Sequence, residues 1–331
     1  MTASAEATRP RAARQPLDLS AVDKSLWFPI GVVLFLFAFF SLTTDSFATL
    51  RNFTAVSGQA GTLLIACLGG TFVILMGSID LSVGAVVLLA GAVCVTLIND
   101  TPLGFAVLPV VAAIGGGLGL VNGLIYTIGR IPSFIVTLGT LSVFSGLALS
   151  LLDGRAIQFD LSGFEVIAIG QLVPRLPNIA LCALAAWAMV VFIAGGTRFG
   201  RYMYLIGGGE TVARTAGIPV VRYKIYAFVL SGALAGIGAA LSVARLGAAG
   251  PSLGSDLLLN SLAAIVVGGT SLSGGVGGPH RTLIGVLIIA ILDNGLNLLG
   301  VSQYTQMVVK GLVVIAAVLV SRDRSRTAVV K

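Results

Sequence analysis

Ten stretches of the chain are apolar almost without a break, and polar residues collect between them. The runs fall at residues 26–42, 55–76, 83–98, 104–127, 134–152, 179–195, 225–246, 257–270, 283–299 and 305–320. A bilayer-crossing helix takes about 20 apolar residues, and only the eighth run is clearly short of that. The expected fold is all-α, a polytopic integral membrane helical bundle of about ten transmembrane helices with interrupted helices among them. Eight spans plus two re-entrant segments would put every loop on the same sides. The first run follows a basic segment, as a signal peptide does. After Leu42, however, come Thr43, Thr44, Asp45, Ser46 and Phe47 instead of a small-x-small cleavage site, so it reads as a retained helix. Residues 1–23, rich in Ala, Arg and Pro, read as a disordered cytosolic tail. Residues 24–321 form the transmembrane domain, with a polar loop at 196–224, and 322–331 a basic cytosolic tail.

Composition sharpens this picture. Of 331 residues, 56% are hydrophobic and 10% charged, against about 25% charged in a soluble domain, which excludes a soluble fold and leaves no room for a catalytic one. The 43 glycines suit helices packed closely in lipid. A formal charge of +7 raises nucleic acid as a partner, but the placement of the basic residues argues for a membrane instead. Ten spans starting inside put fifteen Lys and Arg on the inner side and three, Arg51, Arg155 and Arg175, on the outer, the asymmetry of the positive-inside rule. Arg245 and Lys310 fall within the runs. So do Cys67, Cys94 and Cys182, which argues against a disulfide framework. No phosphate-binding loop, metal cluster or catalytic triad is present, so no catalytic or metal residue is assigned and no cofactor is expected.

Several polar features interrupt the pattern. Gly77 to Gly84, reading Gly-Ser-Ile-Asp-Leu-Ser-Val-Gly, breaks an apolar stretch. Unpaired in hydrocarbon, Asp80 would cost several kcal/mol, so it faces a cavity, a partner or the interface. The segment is either a turn capping the next helix or an interrupted helix beside a pathway, and the two are compatible. A similar octet spans Gly268 to Gly275, and the span scheme places both octets on one side. In the central loop, Gly207 to Pro219 reads as a short helix. Glu210 stands at its favourable end, Gly217 is the C-terminal cap and Pro219 the stop. Presenting Val212, Ala213 and Ala216, it suits a groove on another protein; the other option is an amphipathic helix on the inner leaflet. His280 is a lone loop histidine. Counting outward from the turn at 300–305 places Asp293 and Lys310 at nearly one depth, so they are expected to pair. Arg245 and Asp256 flank the Gly250-Pro251 turn in the same way.

Four of these segments together resemble a known family. Ser78 to Gly84, Gly129 to Gly139 (Gly-Arg-Ile-Pro-Ser-Phe-Ile-Val-Thr-Leu-Gly), Glu210 to Ile218, and Gly268 through Val301 are similar, in order, to permease subunits of bacterial ATP-binding-cassette (ABC) importers of the ribose/xylose/galactose type. The resemblance covers about residues 45–320. It implies two permease copies, or two related permeases, bound to cytosolic ABC ATPase subunits and fed by a periplasmic or lipid-anchored solute-binding protein. It makes 196–224 the coupling loop, with Gly208, Glu210, Ala213, Arg214, Gly217 and Ile218 in the ATPase-coupling segment. Gly209 departs from the pattern where relatives often carry Asn. The expected function is translocation of a small polar solute, a monosaccharide, across the bacterial inner membrane with both termini cytosolic. The alternative is an ion-coupled secondary transporter, for which Asp80, Asp293 and Lys310 are the candidate groups. Asp80, Ser82, Asn122, Asn260, Asn294 and Asn297 are the candidate pathway residues. Arg51, Arg155 and Arg175 are the candidate docking residues for the binding protein.

Overall fold

In a computed structural model, which describes residues 26–159 and 163–321, the ten apolar runs all become helices. Lipid offers backbone groups no partner, so each run must satisfy its own N–H and C=O groups. They form α1 (Trp27–Thr43), α2 (Leu50–Leu75), α3 (Val83–Asp100), α4 (Val107–Ile128) and α5 (Ser133–Leu151). After a short helix, α6 (Val166–Ile169), follow α7 (Asn178–Gly196), α8 (Arg198–Gly208), α9 (Glu210–Thr215) and α10 (Val220–Leu246). The chain closes with α11 (Leu257–Val267), α12 (Pro279–Leu298) and α13 (Gln303–Ser321). Two short strands, β1 (Ile157–Gln158) and β2 (Ala248–Ala249), pair antiparallel. The proposed tails 1–23 and 322–331 lie outside the described residues.

Among the described residues, seven helices, α2, α3, α4, α5, α7, α10 and α12, are long and apolar enough to cross a membrane. The short eighth run proves to be a half-helix. With 11 residues, α11 rises only about 16 Å, half of a hydrocarbon core of about 30 Å. The crossing is completed by irregular chain at 250–256 and 268–278, only partly buried; the first of these lines a cavity, where non-helical backbone is tolerated. The loop at 196–224 holds two helices where one was expected, because α8 precedes the short α9.

The centre of the bundle is α2 and α10, whose inner turns are almost wholly buried. Against α10 lies α4 in its most extensive helix contact. Side-chain volume is nearly absent from that seam. A Cβ on Gly115 or Gly119 would collide with the carbonyl oxygens of Gly232 and Phe228, and one on Gly232 with that of Gly115. In lipid, helices associate through such close backbone packing, since exclusion of water drives nothing there. On the periphery, Phe40 of α1 covers Gly295 of α12 in a cluster with Phe47, Ile291 and Leu292.

The α12–α13 hairpin sets Lys310 Nζ 3.2 Å from Asp293 Oδ1, both side chains buried. The depth count had foreseen this pair. Arg245 and Asp256 behave differently: among the described residues they form no ion pair, because chain 248–256 is a strand and a string of turns that does not hold the two flanks in hairpin register.

Candidate functional site

Three polar regions follow the bundle from the end that carries α8 and α9, called the inner end, to the opposite, outer end. The first is built on α8 and α9. Thr197 opens α8 by accepting from the Gly200 N–H. Gly217 closes α9 at φ +78°, where its N–H donates to Arg214 O and that of Ile218 to Ala213 O, a Schellman closure that a residue with Cβ would strain. Ala213 and Ile218 face inward and are buried, whereas Val212 is 72% exposed beside exposed Ala216 and Gly208. The outward face of α9 is therefore Val212 and Ala216, with Ala213 turned away. Glu210 accepts from Arg214 and, at 2.6 Å, from Lys224 Nζ on α10. Partial burial pushes the Glu210 carboxyl up, but hydrogen bonds and charge from Lys224 and Arg214 outweigh it and hold the group below its ordinary value.

The second region is the interruption at 76–82 between α2 and α3. Its extended backbone lacks helical partners, and α5 supplies them: Ile79 N–H donates to Ser133 Oγ and Leu81 N–H to Thr137 Oγ1, both at 3.0 Å. The segment Gly129 to Gly139, singled out by its sequence alone, is the strut of the interrupted helix. Asp80 Oδ1 accepts from Ser82 N and Oγ at 2.9 and 2.6 Å. Asn122 Nδ2 donates to Ser82 Oγ, and Ser231 Oγ lies 3.4 Å from Asp80 Oδ2. Asp80, Ser82 and Asn122 thus form one cluster that opens the first turn of α3, with Asp80 also lining a small void against Gly70 and Ser261. The two similar octets meet here. Gly274 packs against Gly77, Gly207 packs against Leu75 O and Gly275, and Gly275 N–H donates to Leu75 O at 2.8 Å.

The third region is a chamber at the outer end. A cavity of about 380 Å³, of small-molecule size, is walled by Gln59, Thr62, Ser242, Arg245, Asp256, Asn260 and Asp293 with a few leucines. A second, of about 210 Å³, shares Gln59, Asp256 and Asp293 with it and adds Asn297, Gln303, Gln306 and Lys310. Asn260 Nδ2 donates to Asp293 Oδ2 at 3.3 Å, and Gln306 Nε2 to Asn297 Oδ1 at 2.8 Å. Asn260 Oδ1 and Arg245 Nε, buried at this wall, have no hydrogen-bond partner among the described residues. Asn294 is committed elsewhere, in a reciprocal amide pair with Asn52. The candidate pathway residues therefore separate into an inner cluster, two chamber residues and one interhelical pair.

On the outer surface, Arg175 O accepts from Thr54 Oγ1, one turn along α2 from Arg51. Arg155 is drawn into an exposed pair with Asp153. Missed from the sequence were Lys224, Tyr126, Ser133 and Thr137 on the inner side and Gln59 and Gln306 in the chamber. Lys224 carried a signal, a cation at the very edge of an apolar run, but the rest are ordinary helix residues until their neighbours are known.

Residues 52–318 match the family described as branched-chain amino acid transport system, permease component. The chain is 38% identical to the ribose import permease protein of Haemophilus influenzae over 87% of its own length and 90% of the relative's. It is 40% identical to the ribose import permease protein of Bacillus subtilis, over 86% and 89%. With the D-allose transport system permease protein of Escherichia coli it shares 35% over 89% and 90%. No solved structure matches.

Proposed function

The chain belongs to the family of permease components of branched-chain amino acid transport systems, as the multi-pass transmembrane subunit of a bacterial ABC importer for a small polar solute and not an enzyme, and from that premise we propose that its solute is a neutral monosaccharide. The observation that carries this is the chamber. Amides, hydroxyls and two charges of each sign line it, with acceptor Asn260 Oδ1 and donor Arg245 Nε unpartnered among the described residues. A polyol needs donors and acceptors on every side, and Gln59, Thr62, Ser242, Asn260, Asn297 and Gln306 offer them beside the leucines. The relatives named for ribose and D-allose support the same reading.

In this reading Asn260 and Asn297 touch the solute, while Asp80, Ser82 and Asn122 hold the inner half of the path in shape and Asn294 fixes α2 to α12. Gly208, Glu210, Ala213, Arg214, Gly217 and Ile218 build the segment that meets a cytosolic ATPase. Arg51, Arg155 and Arg175 meet acidic groups of a solute-binding protein, a second permease copy completes the pathway, and both termini are cytosolic. ATP binding then shifts the balance between outward-open and inward-open states.

The test is uptake into liposomes by the permease with its ATPase and binding protein. Labelled ribose should enter only with ATP, leucine should not compete, and Asn260→Leu should reduce uptake with the ATPase still bound. Val212→Asp and Gly217→Val should lose ATPase co-purification and leave the permease in the membrane. Transport of a branched-chain amino acid instead of a sugar, or ATPase binding untouched by both α9 variants, would overturn the corresponding part.

A further inference from the structure

Lys224 is an unusual residue to find where it is, a cation with its side chain 9% exposed at the inner end of the central helix. Its ammonium makes three contacts in the fold, to two residues. Nζ is 2.6 Å from Glu210 Oε2 on α9 and donates to Tyr126 Oη on α4 at 2.8 Å, and it stands 4.7 Å from the centroid of the same tyrosine ring. Tyr126 Oη in turn lies 3.0 Å from Ser78 Oγ, in the interruption between α2 and α3. A single file of polar atoms therefore runs from α9 to the interrupted helix: Glu210, Lys224, Tyr126, Ser78. Two residues on begins the Asp80 cluster, which returns through Ser231 to α10.

The pair is half-buried, Lys224 at 9% and Glu210 at 38% exposure; such a pair adds little net stability, while separating its partners is costly on the lysine side because its buried charge is left unpaired. Those two facts suit a link whose value is positional. If α9 is displaced, Lys224 must follow Glu210 or stay behind as an uncompensated buried cation. Following it moves the first turn of α10 and releases or drags Tyr126. Arg214, on the exposed side of the same carboxylate, keeps Glu210 oriented within α9.

We propose that Lys224 is the positioning residue that carries displacement of α9 into the membrane, through Tyr126 and Ser78 to the interrupted helix and along α10 to the chamber wall at Ser242 and Arg245. This rests on the reading of α9 as the ATPase-facing segment. It adds the claim that docking and transmission are carried by different side chains. Val212 faces out and serves the first, while Lys224 and Tyr126 face in and serve the second.

The experiment uses the complete importer, permease with ATPase and binding protein, in lipid nanodiscs and liposomes. Tyr126→Phe keeps the ring beneath the ammonium and removes only the hydroxyl that joins Lys224 to Ser78. Lys224→Met removes the cation. In both, the ATPase should still co-purify, and sugar moved per ATP hydrolysed should fall, by about fivefold in Tyr126→Phe, the factor one ordinary hydrogen bond corresponds to, and further in Lys224→Met. Glu210→Lys combined with Lys224→Glu should recover part of the loss, which a merely structural role would not. Wild-type sugar per ATP in Tyr126→Phe overturns the proposal, whether or not Lys224→Met accumulates. Loss of ATPase binding in Tyr126→Phe overturns it too, by making the file part of the docking surface. Failure of the docking reading shows elsewhere, as ATPase binding that survives Val212→Asp.

Discussion

Neutralising one member of the Asp293–Lys310 pair should harm the protein more than neutralising both. The ammonium and carboxylate are 3.2 Å apart with side chains 8% and 7% exposed. At an effective dielectric constant of about 20, charges at that separation attract by roughly 5 kcal/mol. The Asp293 Oδ1 contact is ionic, without hydrogen-bond alignment, so charge is what the variants remove. Asp293→Asn retains an oxygen that can accept from Asn260 and strands the Lys310 cation. Lys310→Met strands the carboxylate. Each single change should cost on the order of 3 kcal/mol, whereas Asp293→Asn with Lys310→Met leaves no charge unpaired and should cost less than either single change. The assay is the midpoint of thermal aggregation in detergent, followed by size-exclusion chromatography, with membrane expression beside it. The expected order is wild type, then the double variant, then both singles. A double variant as impaired as the sum of the singles would show that the residues do not act as partners.

Gly119→Val should abolish accumulation of folded protein, since its side chain meets the Phe228 carbonyl and overpacking against backbone reaches or exceeds about 3 kcal/mol; Gly117→Ala, with open space around it, should be neutral, as read by expression and thermal midpoint. Replacing Arg51, Arg155 and Arg175 together by Ala should slow association with the binding protein and flatten the salt dependence of uptake, measured by stopped-flow or surface binding at graded ionic strength. Because the Glu210 carboxyl is held below its ordinary value of 4.5, its pair with Lys224 contributes fully above that value and is lost as pH falls through the depressed one. Solute-stimulated ATPase activity of wild type and Glu210→Gln should therefore keep a constant ratio between about pH 7 and about pH 5, and a ratio that closes across that window would contradict the assignment.

What could be read from sequence divides along a physical line. Length and polarity along one helix are local, so the ten runs, the cap at Gly217 and the depth match of Asp293 with Lys310 across a tight hairpin were all visible. Neighbour relations between helices are not local. Ser133 and Thr137 look like any small polar residues until α5 is seen beside residues 76–82, and Tyr126 is unremarkable until α10 brings Lys224 to it. Arg245 and Asp256 show the limit of depth counting, which works only where the intervening chain is a simple turn. The half-helix α11 was visible as a short run, but the irregular chain that completes its crossing is polar and Gly-rich, and from sequence it reads as loop.

The glycine seam between α4 and α10 has a consequence for how the protein responds to temperature. A soluble core is held largely by keeping apolar surface from water, a force with a large heat capacity that weakens on cooling. The seam gains almost nothing from that source, because the same glycine faces would otherwise meet lipid tails, not water. What holds it is contact between backbones at Gly115, Gly119 and Gly232, whose strength changes little with temperature. The pair should thus stay locked in the cold, and slow transport at low temperature would come from a stiffened bilayer or from the soluble partners, with the centre of the permease still intact.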